Sequence, residues 1–275
     1  MAEAETTIDT GTDELLCVVR DKVATITLNR PQARNSLSDQ LSPALRRMIK
    51  HCGEDDAIGA VMITGAGTAF CSGGDVKGMG ANSSRNSMSF DERVADLRVR
   101  EKAMTGALVG LRKPTIAALP GAAAGAGLAI ALACDIRVAA ESASLIAGYA
   151  RVALSGDYGI AWLLTRLVGT SRARELLFFN EKIDAQRALA LGLVNKVVPD
   201  ADVRSVAFEM ARTLAHGPRV AFAYMKDNLD QAIAGGFMEA LDQEADRLVR
   251  AAATADHKEA VRAFVEKRAP LFTGS

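Results

Sequence analysis

The sequence predicts an α/β fold that ends in a helical segment. Short β-branched or apolar runs alternate with helical periodicity from about residue 14 to residue 199. From about residue 200 the period is almost wholly helical. The chain has 275 residues, 49% hydrophobic and 24% charged, enough to bury a sizeable core and unlike a disordered chain. Residues 1–13 are acidic and polar, without the basic and apolar regions of a signal peptide, so a flexible arm is expected there. The expected division is therefore an arm (1–13), an α/β core (14–199) and a helical C-terminal segment (200–275).

Each element has a local cause. Val23-Ala-Thr-Ile-Thr-Leu28 alternates and is β-branched, hence a strand, with Leu15 to Val19 as its hairpin partner and Asp21-Lys22 at the turn. Ser38 can cap a helix running to about His51, with Leu41, Leu45, Met48 and Ile49 on one face. Ala60 to Thr64 reads as a short strand, Gly65 to Gly80 as a glycine-rich loop, and the polar Ala81 to Ser89 as a mobile loop. A charged helix follows from about Asp91 to Leu111. Thr115 to Leu119 is a strand, Pro120-Gly121 a turn, and a buried helix starts near Gly125. Asp135 to Ala139, Leu145 to Ala147 and Leu193 to Val198 are further strands. Beyond Trp162 the pattern is mostly helical, with helices expected over 200–215, 219–234, 237–252 and 257–267.

Lys and Arg number 33, as do Asp and Glu, so the formal net charge is zero. That balance, with only 5% aromatics, argues against a nucleic-acid or anionic-membrane binder. Pro114 to Cys134 carries no charge and is long enough to span a bilayer, but it is mostly Ala and Gly and is broken by Pro120-Gly121, so a buried strand, turn and helix are preferred. A cytoplasmic protein is expected. Cys17, Cys52, Cys71 and Cys134 form no C-x-x-C pair and read as small buried apolar residues of a reducing compartment. His51, His216 and His257 lie far apart and suggest no metal site. No G-x-S-x-G or G-K-[ST] occurs, and Gly125-Ala-Gly127 is only a partial dinucleotide fingerprint.

Two glycine-rich segments remain, Thr68-Ala-Phe-Cys-Ser-Gly-Gly-Asp75-Val-Lys77 and Leu119-Pro-Gly-Ala-Ala-Ala-Gly-Ala-Gly127-Leu, each after a short apolar strand. Glycines let the backbone approach a ligand, and a helix starting near Gly125 adds free N–H groups. Either segment alone could be no more than a tight turn. Together, in this order, they resemble the crotonase superfamily, or enoyl-CoA hydratase/isomerase family. Further matches are Asn29-Arg30-Pro31 with Ala33 and Asn35, Lys113-Pro114, Ala133-Cys134-Asp135-Ile136, Trp162-Leu-Leu-Thr-Arg166 with Gly169, Ala190-Leu-Gly-Leu-Val194 and Phe264-Val-Glu-Lys-Arg268. The resemblance covers nearly the whole chain.

It implies a spiral of β-β-α turns with a helical C-terminal trimerisation segment, trimers often pairing into hexamers. It implies an acyl-CoA thioester substrate, coenzyme A entering only as part of that substrate, and no permanently bound cofactor. The thioester oxygen would sit between the amides of Gly74 and Ala126, which would stabilise an enolate. Gly74 to Lys77, including Asp75 and Val76, would run beside the CoA, with Ala33 and Tyr149 also at the substrate. For Asp75 a cap on the following turn is favoured over contact with substrate. Lys267 and Phe272 would approach the CoA nucleotide, although Lys267 could equally be a solvated helix end.

The two glutamates of the family's hydratases fall on Ala129 and Tyr149 here, so both carboxylates are absent. Neither residue replaces a carboxylate as a base near neutral pH. Asp157, in Ser155-Gly-Asp-Tyr-Gly159, stands just before the Trp162 helix. Relatives that isomerise dienoyl-CoA or ring-epoxide acyl-CoA substrates have an aspartate at the corresponding position; the alternative is an N-cap for that helix. The resemblance therefore points to a CoA-thioester isomerase with Gly74 and Ala126 as anion hole and Asp157 as proton shuttle. The alternatives are an enoyl-CoA hydratase of fatty-acid oxidation with a non-standard acid, and a catalytically silent acyl-CoA-binding subunit.

Overall fold

The computed structural model describes residues 5–75 and 87–275. Its strands are β1 (Thr6–Ile8), β2 (Leu15–Arg20), β3 (Val23–Leu28), β4 (Ala60–Gly65), β5 (Ala69–Cys71), β6 (Thr115–Leu119), β7 (Ala122–Ala124), β8 (Ile136–Ala140), β9 (Ser144–Ile146), β10 (Ile183–Asp184) and β11 (Lys196–Val198). Its helices are α1 (Leu41–Glu54), α2 (Phe90–Glu101), α3 (Ala107–Gly110), α4 (Ala126–Ala133), α5 (Ile160–Phe178), α6 (Ala185–Ala190), α7 (Val203–Ala215), α8 (Arg219–Ala234), α9 (Phe237–Ala252) and α10 (Ala255–Glu266).

A seven-stranded sheet runs in the order β1-β2-β3-β4-β6-β8-β11, and a four-stranded sheet in the order β10-β9-β7-β5. In the large sheet β1, β2 and β3 are antiparallel neighbours, and the pairs from β3 to β11 are parallel. Three times the chain leaves the large sheet for the small one, from β4 to β5, β6 to β7 and β8 to β9; α2 and α3 return it to β6 and α4 returns it to β8, whereas after β9 it passes α5 and β10, still in the small sheet, before α6 returns it to β11. This is the spiral of β-β-α turns. β4 and β6 are buried along their whole length, as parallel strands covered on both faces must be, which explains their unbroken apolar runs. All eight residues of α4 are buried, so its lack of a polar face reflects a helix enclosed by protein. Among the described residues no helix is long and apolar enough to cross a membrane.

The hairpin from β2 to β3 turns at Asp21 and Lys22, with φ of 50° and 61°, the left-handed pair that a two-residue hairpin requires. Ser38 Oγ accepts from the Leu41 amide at 2.9 Å, capping α1. The helix expected from about Asp91 to Leu111 is interrupted by a π-helical turn, Lys102–Gly106, between α2 and α3. All four cysteines are buried and unbridged.

Several expectations are corrected. The arm is not loose throughout: Thr6–Ile8 pair with β2, Thr6 opposite Val19 and Ile8 opposite Cys17, because the β-branched run finds a free sheet edge. Thr10 anchors its end, donating to the Leu15 carbonyl at 2.6 Å. The glycine-rich stretch from Gly65 to Gly80, expected as a loop, contains β5, and β7 lies where the sequence predicts only a turn. α7, assigned to the C-terminal segment, instead buries Val203, Ala207, Phe208, Ala211 and Ala215 against the large sheet. The Ala81 to Ser89 loop lies mostly outside the described residues.

Candidate active site

Two loops meet where the small sheet approaches α4. β5 and β7 are parallel neighbours, so the segments leaving them run side by side. Gly73 adopts a φ of +91°, and a β-carbon there would come within 2.9 Å of Ala124 O and 3.6 Å of Ala126 N. Gly127 is equally confined: a β-carbon would lie 2.3 Å from the Cys71 carbonyl oxygen. These contacts require glycine and set the first loop against the start of α4.

Among the described residues the amide of the next residue, Gly74, takes no backbone partner. Gly74 forms a parallel bridge with Leu37 that uses Leu37 N to Gly73 O (2.8 Å) and Asp75 N to Leu37 O (3.2 Å), so the Gly74 amide takes no part in it. Ala126 is the first residue of α4, where amides have no partner within the helix. Gly125 N, one residue earlier, is taken by Ile146 O at 3.1 Å.

A cavity of about 270 Å³ lies before these two residues, and Gly74, Asp75, Arg100, Ala126, Asp157 and Tyr158 are part of its wall. Asp75 receives Arg30 Nη1 at 3.0 Å, which also donates to Ser36 O at 2.7 Å, so this carboxylate is tied into the loop's own scaffold. Asp157 precedes α5, yet its side chain does not cap that helix, whose N-cap is Gly159 without a side-chain bond. The Tyr149 hydroxyl instead donates to Asp157 Oδ1 at 2.5 Å. Tyr149 opens a 3-10 turn and is 7% exposed. Tyr158 holds a left-handed φ of 50°, and its amide donates to Glu101 Oε1 at 2.9 Å. A left-handed non-glycine residue here stores strain beside the carboxylate, and Glu101 supports it.

Burial raises the Asp157 carboxyl above the usual carboxylate range. The Tyr149 hydrogen bond pulls it down, the Glu101 charge adds to the rise and the Arg100 charge opposes it. Burial, with the adjacent Asp157 charge, pushes the Tyr149 phenol up, so it remains a donor. Burial likewise pushes the Cys71 thiol up to about 12, which removes it as a nucleophile near neutral pH. Among the described residues no group of three or more His, Cys, Asp or Glu could hold a metal ion.

Of the residues singled out by sequence, Gly74, Asp75, Ala126 and Asp157 come together in this cavity, and Tyr149 joins through Asp157. Ala33 lies behind it, its carbonyl accepting from Ser72 Oγ at 3.4 Å. Val76 and Lys77 lie outside the described residues. Lys267, exposed at the end of α10, and the half-buried Phe272 are not among the lining residues. Arg100, Glu101 and Tyr158 were not anticipated. One signal was available: Leu97, Glu101, Met104 and Leu108 follow helical spacing, so a charge interrupts an inward stripe.

A profile described as enoyl-CoA hydratase/isomerase matches residues 19–275. The chain is 35% identical over 263 residues to 1,2-epoxyphenylacetyl-CoA isomerase of Escherichia coli K12, covering 94% of this chain and 98% of that one. It is 37% identical over 256 residues to a protein of Rhodobacter capsulatus named probable enoyl-CoA hydratase, covering 93% and 96%. The crystal structure of an enoyl-CoA hydratase from Polaromonas sp. JS666 superposes with a TM-score of 0.87 at 32% identity, covering 94% of this chain and 99% of that one. The chain belongs to the enoyl-CoA hydratase/isomerase family, the crotonase superfamily.

Proposed function

We propose that this protein is a CoA-thioester isomerase that shifts a double bond, or opens and rearranges a ring epoxide, next to a thioester. The observation that carries this is the shared cavity of Gly74, Ala126 and Asp157. The amides of Gly74 and Ala126 receive the thioester oxygen. Asp157, made more basic by burial, takes a proton from the carbon beside the acyl carbonyl. The C–H electron pair moves onto the thioester oxygen, giving an enolate held by the two amides. In the double-bond shift Asp157 then returns the same proton to another carbon as the enolate electrons form the new double bond; on a ring epoxide the enolate electrons instead break the adjacent C–O bond and the freed alkoxide takes that proton. No water is consumed, nothing is oxidised, and the step needs no cofactor beyond the CoA carried by the substrate. The similarity to an isomerase named for an epoxy acyl-CoA supports the reading.

The rest of the substrate reading follows the same line. Asp75, next to Gly74, lies beside the CoA, and Lys267 and Phe272 contact the CoA nucleotide from a neighbouring copy in a trimer or a pair of trimers. Phe237, Leu248 and Phe264, 77%, 71% and 85% exposed on α9 and α10, support such an assembly.

A second reading, hydration of 2-enoyl-CoA, has one observation in its favour: Glu101 supplies a second carboxylate beside Asp157. The test is to incubate the enzyme separately with 3-enoyl-CoA and 2-enoyl-CoA and follow the conjugated thioester absorbance. Conversion of the 3-enoyl compound, abolished by Asp157→Asn, is expected. Rapid hydration of the 2-enoyl compound that survives Asp157→Asn removes the isomerase mechanism.

A further inference from the structure

We propose that Tyr149 is a positioning residue for proton transfer: its hydroxyl holds Oδ1 of Asp157, keeps the carboxylate in the cavity wall, and leaves Oδ2 to carry the proton. This inference rests on the isomerase reading and adds to it a residue that acts through Asp157 rather than on the substrate.

The geometry makes the case. A carboxylate just ahead of a helix is normally drawn to the free amides of the first turn. Asp157 has that option at α5 and does not take it; the first turn has no side-chain cap, and the carboxylate turns to the phenol at 2.5 Å. The phenol is fixed beforehand. Gly148, the residue before it, is held through its amide by Asn180 Oδ1, and the Tyr149 carbonyl accepts from Leu154 N at 3.1 Å. Tyr149 is thus anchored by backbone on both sides of its turn.

The charges facing Asp157 come from several elements. α2 presents Arg100 and Glu101, the 3-10 turn presents Tyr149, and Tyr158 follows Asp157 itself. Asp39 and Asp75 lie elsewhere on the same cavity wall. Among these, Tyr149 gives Asp157 its hydrogen bond. A donor that stays protonated favours the carboxylate over the carboxylic acid. Removing it has two effects: Asp157 becomes harder to ionise, and its carboxylate is released to swing towards the α5 amides.

The experiment compares kcat and KM of wild type, Tyr149→Phe and Asp157→Asn on 3-enoyl-CoA from about pH 5 to about pH 9. For Tyr149→Phe, the acid limb of the kcat/KM profile is expected to move to higher pH, with kcat about 10- to 100-fold lower and KM little changed. 3-Fluorotyrosine placed at 149, a stronger donor in the same shape, is expected to move the limb the other way, and it keeps the test open if the phenylalanine variant folds poorly. A loss confined to KM would mean that Tyr149 contacts substrate instead. A loss of kcat with both limbs unmoved would mean a purely structural role. Either result overturns the proposal. Full activity in Asp157→Asn would overturn the underlying isomerase reading, a separate outcome.

Discussion

Gly127→Ala tests whether the two loops must meet as closely as they do. The new β-carbon would lie 2.3 Å from the Cys71 carbonyl oxygen, 2.7 Å from Cys71 Cβ and 2.8 Å from Cys71 C. Two of these neighbours are backbone, and ordinary contacts of a β-carbon begin near 3.4 Å. Either α4 or the end of β5 must therefore retreat by about 1 Å, and each movement parts the Ala126 amide from the Gly74 loop. A displacement of that size in a reacting geometry costs about 100-fold in rate, approaching 1,000-fold if one donor leaves the oxygen altogether. Overpacking alone costs about 1–3 kcal/mol of stability, so the fold should survive with a lowered Tm. The assay is kcat on 3-enoyl-CoA, run with thermal melting and with calorimetric binding of free CoA. The expected pattern is a large loss of kcat, a modest fall in Tm and nearly unchanged CoA binding. Gly110→Ala is the control, since a β-carbon there meets nothing within 4 Å. If Gly127→Ala keeps kcat within about threefold of wild type, the anion-hole argument fails, because the donors then tolerate the displacement that should disable them.

Three other outcomes can be checked. Glu101→Gln keeps an oxygen for the Tyr158 amide but removes a negative charge beside Asp157, so the acid limb of kcat/KM should move to lower pH, opposite to Tyr149→Phe; an upward shift would count against Asp157 as the titrating base. Asp157→Asn should be more stable than wild type. The folded carboxyl sits above its unfolded value, so wild type loses stability as pH rises through that interval and the variant does not; melting from about pH 4 to about pH 8 should show the Tm gap opening and then levelling, and a gap independent of pH would refute this. Arg30→Met leaves Asp75, Glu14 and the Ser36 carbonyl without their shared partner and should cost about 2–4 kcal/mol in urea unfolding, whereas a loss below about 1 kcal/mol would show that the loop does not lean on this side chain.

The long periodic elements were legible in the sequence because burial on one face writes itself as a period. β3, β6, α8 and α9 begin and end where alternation or helical spacing begins and ends. β5 and β7 were not legible: three residues carry no period, and their pairing with each other spans about fifty residues of chain. β1 was hidden because the acidic composition of the first thirteen residues outweighed Thr6-Thr7-Ile8. At the candidate site, Gly74, Ala126 and Asp157 were picked out by the family resemblance that the ordered glycine segments carry. The hydrogen bond from Tyr149 was not legible, since the spacing before α5 equally suited a cap. Glu101 and Arg100 could be assigned to a helix but not to a cavity, because only the spiral brings residue 101 beside residue 158.

The contrast between the places that hold Gly74 and Asp157 has a consequence for how such a molecule can diversify. Gly74 and Ala126 follow adjacent strands of the small sheet, whereas Asp157 belongs to a bend outside any strand, before α5. Replacing an acid on that bend, or installing another, leaves every strand pairing intact. A scaffold wired in this way can exchange the acid at that position by point substitution while the segments carrying Gly74 and Ala126 stay as they are.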